Sequence, residues 1–559
     1  MHLYDKLVKH AEDGAYPMHM PGHKRNGAWL SMGNPYLLDI TEIEGFDDLH
    51  APEGILREGM ERAARLYGAD ESWYLVNGST AGILAGIAAV TRPGDTVLVA
   101  RNCHRSVYHA LLVNRLEPVY LYPPVDPDWG IWGSVRPQDV KEALEKEERE
   151  ISLVVITSPT YEGGLSDVGR IAEICHAHGV PLLVDEAHGA HLGFSKGFTG
   201  GMAGMSSAVE VRGDSMAFPA ETAGADASLA VDVQDGNLFP AGAVSAGADL
   251  VVQSLHKTLP SLTQTGLLHC RGKRISGERV KESLDIYQTS SPSYILMASI
   301  DRCLELLEPE NRGWMRDWED RLRGFYLPAR RLRGLRVLTG SPAFFARDSS
   351  KLVLSTRGTG HTGPELAERL RRPYGFEPEM TSTDYVIAMT GAGDTWEAMA
   401  RFTESVLEID DLWMRERGSK TQTNPEEGFR EEEWAGTRGE TENRERGEEA
   451  DRAEKENRNS SGNEAHDFCG MWDDFRACPR RPLWAARLTE GRTVPLNREA
   501  LGMISRDFVY AYPPGIPILA PGEEITESVL SAAALCKENG VRLRGPVCEG
   551  TVEIILNKG

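Results

Sequence analysis

Asp249-Leu250-Val251-Val252-Gln253-Ser254-Leu255-His256-Lys257 is the stretch on which the fold turns. Its first five residues make a short apolar run with the pattern of a buried strand. A polar turn comes next and delivers a lysine. Lysines are normally exposed, so one placed directly after a core strand needs a reason to be there. Desolvation and a neighbouring cation would lower its pKa and leave a usable amine nucleophile.

Outward from this point the same grammar repeats. Strands are predicted at Trp73-Tyr74-Leu75-Val76, Thr96-Val97-Leu98-Val99 (introduced by the turn Pro93-Gly94-Asp95), Val119–Tyr122, Leu153-Val154-Val155-Ile156 and Pro181-Leu182-Leu183-Val184. Helical patterns fall between them: the small apolar run Ala81–Val90, the charged and solvent-facing Gln138–Glu150, and Val168–His178. Such alternation from about residue 56 to 270 predicts an α/β fold, a mostly parallel sheet with helices on both faces. In that architecture ligands bind beyond the carboxyl ends of the strands.

The residues just past each strand are therefore informative. Asn77-Gly78-Ser79-Thr80-Ala81-Gly82 leads into a helix, where small residues, two hydroxyls and free N–H groups would cradle a phosphate. Taken alone it reads first as an ordinary helix cap. Arg101-Asn102-Cys103-His104 places a histidine where it would either stack on a planar ring or lie as a satisfied polar residue near the surface. Asp185-Glu186-Ala187-His188 puts a carboxylate at a buried strand end, which is costly unless paired. A protonated pyridine nitrogen would pair it and would thereby become an electron sink; a structural cap for the next turn is the plain alternative. A helicase-type DEAH reading lacks the G-x-x-x-x-G-K-[ST] loop it needs. A metal held by His188 and His191 lacks further ligands at suitable spacing. Ser254 and His256 alternate before Lys257 and would reach a phosphate. The ordered set of phosphate loop, histidine, aspartate and lysine is far more specific than any one member.

Composition narrows the partners. The 559 residues are 41% hydrophobic and 26% charged, as expected of a soluble globular chain with room for several domains. A formal net charge of −23 argues against nucleic acid or an anionic membrane surface and agrees with a cationic substrate. The opening MHLYDKLVKHAEDG reads as a short amphipathic helix without the apolar core of a secretory signal. No run approaches the roughly 20 apolar residues of a membrane span. Eight scattered cysteines, none in CxxC pairs, fit reduced thiols in the cytoplasm.

Two stretches break the pattern. Residues 197–243, rich in Gly, Ala and Ser, read as an inserted surface loop. Residues 421–467 carry 15 acidic and 7 basic residues with one Trp and one Phe, and read as a disordered, solvated linker. Strand-like runs resume at Phe508-Val509-Tyr510 and Val552-Glu553-Ile554-Ile555.

The motifs taken together resemble the Orn/Lys/Arg decarboxylases, in the short bacterial form without an N-terminal wing domain. The resemblance rests on His19-Met20-Pro21-Gly22-His23-Lys24, Asn77–Thr80, Arg101–Ser106, Ser158-Pro159-Thr160-Tyr161-Glu162-Gly163, Asp185–Gly189 and Gln253–Lys257. It continues through Thr289-Ser290-Ser291-Pro292-Ser293-Tyr294, Tyr512-Pro513-Pro514-Gly515-Ile516-Pro517 and Pro521-Gly522-Glu523. It implies the aspartate aminotransferase-like fold of pyridoxal-phosphate enzymes, with a smaller α+β domain toward the C-terminus. The implied division is an N-terminal segment 1–55, a large cofactor domain 56–308 containing the insertion, a small domain 309–420, the linker 421–467 and a C-terminal decarboxylase domain 468–559.

The resemblance also implies roles. Lys257 carries pyridoxal 5′-phosphate covalently, Asp185 pairs with its ring nitrogen and His104 stacks on the ring. Ser79, Thr80, Ser254 and His256 hold the phosphate, and His188 belongs to the cofactor-binding set. Thr289 reaches the neighbouring subunit's cofactor, which implies a homodimer or larger. Glu523 is the candidate contact for the substrate's cationic end, and His256 or Lys257 returns a proton to the α-carbon. His19 and His23 lie near the mouth of the site in a structural or a catalytic role. The implied reaction is decarboxylation of a basic amino acid, arginine first and lysine or ornithine next, with agmatine serving polyamine synthesis. An aminotransferase and a non-catalytic regulatory relative are the competing readings. Insertion and linker both depart from the family pattern without removing a motif residue.

Overall fold

The computed structural model describes residues 2–29, 33–195, 238–421, 475–512, 516–538, 542–545 and 550–556. Most of the predicted insertion and linker, and Pro513-Pro514-Gly515, lie outside the described residues.

A seven-stranded sheet organises the molecule. Its strands are β1 (Glu71–Leu75), β2 (Thr96–Ala100), β3 (Glu117–Leu121), β4 (Ile151–Thr157), β5 (Leu182–Asp185), β6 (Leu250–Ser254) and β7 (Gly266–Cys270). Across the sheet they run β1-β7-β6-β5-β4-β2-β3. Six are parallel, and β7 alone runs antiparallel to both its neighbours. Val97, Leu98, Val99, Val154, Val155, Leu182, Leu183, Val184, Leu250 and Val252 are all buried, because helices cover both faces. All the predicted strands of this sheet are present, displaced by at most two residues at their ends.

The helices that matter here are α1 (Leu3–Glu12), α2 (Gly78–Val90) and α3 (Arg105–Val113). Helix α1 buries none of its residues and leaves Leu3, Tyr4 and Leu7 exposed. Helix α2 is made of small and aliphatic residues and packs into the core against β6 and β7. The charged helix predicted at 138–150 spans Pro137–Lys146 and buries only Val140; the chain is already extended at Glu147.

A second, antiparallel sheet joins Arg336–Val337, Lys351–Ser355, Tyr385–Met389 and Met380–Thr381, packed by helices Trp314–Ala329 and Gly363–Arg371. Strands Val509–Tyr512, Ile516–Leu519 and Arg542–Arg544 form a third sheet, with helix Glu527–Glu538 beside it. Leu483, Phe508 and Ala520 extend the core of the large sheet into this last region.

The end of the predicted insertion is corrected. Leu238 and Phe239 are core residues, not surface loop, and the Phe239 ring packs against His191 and Trp318 at 4.8 and 4.7 Å. Aromatic burial overrides a local composition of Gly, Ala and Ser. Among the described residues no helix is long and apolar enough to cross a membrane.

Candidate active site

The carboxyl ends of β1, β2, β4, β5 and β6 open on a cavity of about 270 Å³. Its wall includes Ser79, His104, Asp185, His188 and Lys257 from the predicted set. Each arrives on the segment immediately after a different strand, or on the strand's last residue. His188 shares its segment with Asp185.

Lys257 stands in the single turn Leu255–Thr258 that closes β6. Burial lowers its pKa to about 8, against the opposing pull of the Asp185 carboxylate. Its Nζ lies 2.9 Å from Nε2 of His188. Burial and the Lys257 charge hold His188 well below the usual histidine range, so the ring is neutral and accepts from the amine. The His188 carbonyl in turn accepts Nζ of Lys351, a fully buried lysine paired with Asp348. Asp348 also meets Nε2 of His191 at 3.1 Å. His191 is thereby committed to the protein interior, and no group of three or more His, Cys, Asp or Glu suited to a metal occurs among the described residues.

Asp185 ends β5 and is buried. Its Oδ1 accepts the Ala187 N–H at 3.1 Å, and burial raises its carboxyl pKa. His104 caps α3 through Nδ1, which accepts the Ser106 N–H at 3.3 Å. Burial and the Lys257 charge push its pKa down to about 3. Ser79 is the second residue of α2, after Gly78, which opens the helix at φ +75°, a left-handed conformation that a glycine adopts without strain.

Five predicted residues stand off the cavity wall. Thr80 is exposed on the first turn of α2. Ser254 is buried at the end of β6, its Oγ without a partner among the described residues. His256 points Nδ1 at the Thr265 carbonyl (2.8 Å), and burial brings its pKa to about 4. Thr289 is exposed and donates its N–H to Asn77 Oδ1 at 3.3 Å, beside the glycine turn. Glu523 is corrected: it is buried against Arg101, with Oε2 3.2 Å from the guanidinium, and is therefore not offered to a substrate cation. A partner that neutralises it at that depth fixes it in place.

Besides Asp185, the carboxylates on the cavity wall are Glu379 and Glu162. Glu379 accepts the Tyr161 hydroxyl at 2.5 Å and the Met20 N–H at 2.9 Å. Glu162 accepts the Tyr385 hydroxyl at 3.1 Å, and burial raises its pKa. Glu162 belongs to one of the motifs that carry the family resemblance; Glu379 has no sequence signal, since distant residues set its place.

The His19–Lys24 segment is a clamp on the lysine's turn. The Gly22 N–H donates to the His256 carbonyl at 2.8 Å, and a Cβ at Gly22 would overlap the Thr258 carbonyl. Lys24, buried, donates to the carbonyls of His19 (2.6 Å) and Met389 (2.7 Å). His19 turns Nδ1 to the Met20 carbonyl at 2.5 Å, while His23 Nδ1 accepts the Arg25 N–H at 3.0 Å. Of this segment Met20 lines the cavity, and neither histidine is on its wall.

These features fit pyridoxal phosphate. Asp185 is a buried carboxylate suited to a cationic ring nitrogen, the unpartnered Ser254 hydroxyl and the start of α2 suit a phosphate, and a lysine of lowered pKa suits an aldehyde. Comparison with known proteins agrees. The family model described as Orn/Lys/Arg decarboxylase, major domain, matches residues 2–222 and 236–320. The chain belongs to the Orn/Lys/Arg decarboxylase family.

This decarboxylase is 29% identical to a Bacillus subtilis protein named arginine decarboxylase, over 97% of this chain and 95% of that one. It is 32% identical to an uncharacterised protein of the same organism over 95% and 94% of the two chains. A protein named lysine decarboxylase from Pseudomonas aeruginosa matches at 25% over 58% of this chain and 42% of its own length. Among solved structures, lysine decarboxylase A from Pseudomonas aeruginosa superposes with a TM-score of 0.67 at 19% identity, covering 99% of this chain and 80% of the other. The fold of this decarboxylase is thus that of the pyridoxal-phosphate decarboxylases, and its reaction is decarboxylation of a basic amino acid.

Proposed function

We propose that this decarboxylase converts arginine to agmatine and carbon dioxide, for polyamine synthesis in the cytoplasm, with Lys257 as the residue that holds pyridoxal 5′-phosphate. The reading is carried by the convergence of Lys257, Asp185, His104 and Ser79 on one cavity. Arginine is favoured because Bacillus relatives named arginine decarboxylase align over nearly the whole chain, whereas relatives named lysine decarboxylase, like one named biodegradative arginine decarboxylase, align over little more than half. The described cysteines are all free, in keeping with a reducing compartment.

When bound, the cofactor supplies an electron sink for the pair released as the carboxylate leaves. The chain's own groups do the rest. Burial keeps an appreciable fraction of the Lys257 amine neutral near pH 7, and His188 directs it. Asp185 would hold the proton on the ring nitrogen. His104, kept neutral, would pack on the ring. Ser79, Thr80, Ser254 and His256 would hold the phosphate. Lys257, which lies on the cavity wall where His256 does not, returns the proton to the α-carbon. Glu379 receives the substrate's cationic end, and Trp132, Met20 and Ile516 keep water from the reacting atoms.

The working unit in this reading is a homodimer. Thr289 and Asn77 sit exposed together at the glycine turn, and Leu3, Tyr4, Leu7, Tyr36 and Leu37 present apolar surface suited to a second copy.

The decisive experiment supplies arginine, lysine and ornithine side by side, with labelled carboxyl carbon, and identifies the amine. Agmatine as the dominant product is expected. Cadaverine or putrescine in its place would overturn the substrate, and a keto acid without labelled carbon dioxide would overturn the reaction.

A further inference from the structure

We infer that Glu523 is a positioning residue of the active site, acting through Arg101 on the turn that carries His104. The inference rests on the proposed cofactor-binding role of the cavity.

Arg101 comes directly after β2, and its side chain is fully buried. Its Nη1 donates to the Tyr108 hydroxyl at 2.6 Å, and that hydroxyl donates back to the Arg101 carbonyl at 2.8 Å. Tyr108 lies on α3, the helix that His104 caps. The two hydrogen bonds therefore close a loop around residues 101–108 with His104 inside it. The guanidinium carbon stands 5.1–5.4 Å from the ring centres of Tyr108, Tyr120 and Phe475. These rings exclude water, so the charge depends on a counter-ion at the same depth.

Glu523 is that counter-ion, 422 residues away in sequence. It is held from its own side. Oε2 also accepts the Ala520 N–H at 2.8 Å, and its backbone carbonyl accepts the Ser505 N–H at 2.8 Å. Gly522, at φ +85°, makes the tight turn that presents it. A planar fork gripping Tyr108 on one side and Glu523 on the other fixes direction as well as distance, which an apolar pair of equal volume would not do. Through Arg101 the last part of the chain sets where the His104 ring stands.

The test uses full-length holoenzyme and three variants: Tyr108→Phe, Glu523→Gln, and the double variant Arg101→Met with Glu523→Met. Three readouts are taken: visible circular dichroism of the bound cofactor, cofactor affinity of the apoprotein, and the denaturation midpoint. Tyr108→Phe and Glu523→Gln are expected to weaken the visible dichroic band and to lower cofactor affinity about tenfold. The double variant removes both buried charges and is expected to bring the midpoint back toward wild type, with dichroism and affinity still impaired. Recovery of all three readouts in the double variant would overturn the inference, since the pair would then be structural alone. Wild-type dichroism in Tyr108→Phe would overturn it too. Dichroism and affinity need no turnover, so an inactive wild-type enzyme would count against the proposed reaction and not against this pairing.

Discussion

The His188 Nε2 atom stands 2.9 Å from the amine of Lys257, and the His188 carbonyl is anchored by the buried Lys351. The imidazole proposed to aim the lysine is thus anchored through its backbone, with the Tyr161 ring edge-on to it at 4.9 Å. Replacing it by alanine leaves the amine free to rotate. His188→Ala is expected to slow capture of the cofactor by the apoprotein about tenfold; stopped-flow absorbance measures the rate. A wild-type rate would show that the contact has no directing role.

Capture of the cofactor should depend on pH with a midpoint near that of Lys257. The nucleophile is the neutral amine, and burial has lowered its pKa to about 8. The association rate is therefore expected to climb about tenfold per pH unit below 8 and to level off above it. Asp185 favours the charged amine, so Asp185→Asn should move the midpoint to lower pH while reducing turnover by about a hundredfold. A midpoint near 10.5 in wild type would contradict the buried environment of the lysine.

Gly22→Ala should damage the site from outside it. The added methyl would collide with the Thr258 carbonyl, in the turn that holds Lys257. Cofactor content of the purified protein is expected to fall sharply, by an amount read from visible absorbance per chain. Full loading would show that the clamp yields without moving the lysine.

Glu379→Gln should separate binding from chemistry. The variant keeps one acceptor oxygen, for the Met20 N–H, turns its amide N–H toward the Tyr161 hydroxyl, which can accept, and removes this side chain's negative charge. KM for the cationic substrate is expected to rise about tenfold or more with a smaller change in kcat. An unchanged KM would move the substrate's cationic end to another group.

Much of the large sheet and its rim is legible in the chain. Its strands are near-continuous apolar runs because both faces are covered, and the candidate site residues come directly after them. Glu523 stands out in sequence as a carboxylate in a family motif, yet the substrate contact expected of it is not what the fold provides. Sequence gives its charge but not its partner, which lies 422 residues earlier. Glu379 carries no motif at all, since Tyr161 and the Met20 amide place it through long-range closure. Phe239 is hidden in a run of small residues and is recognisable only once Trp318 and His191 are beside it.

The solitary antiparallel strand β7 has a bearing on how the enzyme matures. Ser254 pairs with Gly266, so the lysine's turn is spanned by a local hairpin that the chain can close early. Every other wall of the cavity waits for distant segments: β5 to pair with β6, and β1 to pair with β7. Non-local pairings of this kind form late. The nascent protein therefore presents its lysine before it possesses the pocket whose burial makes that amine reactive, and competence to take up cofactor is expected to trail the appearance of helix and strand.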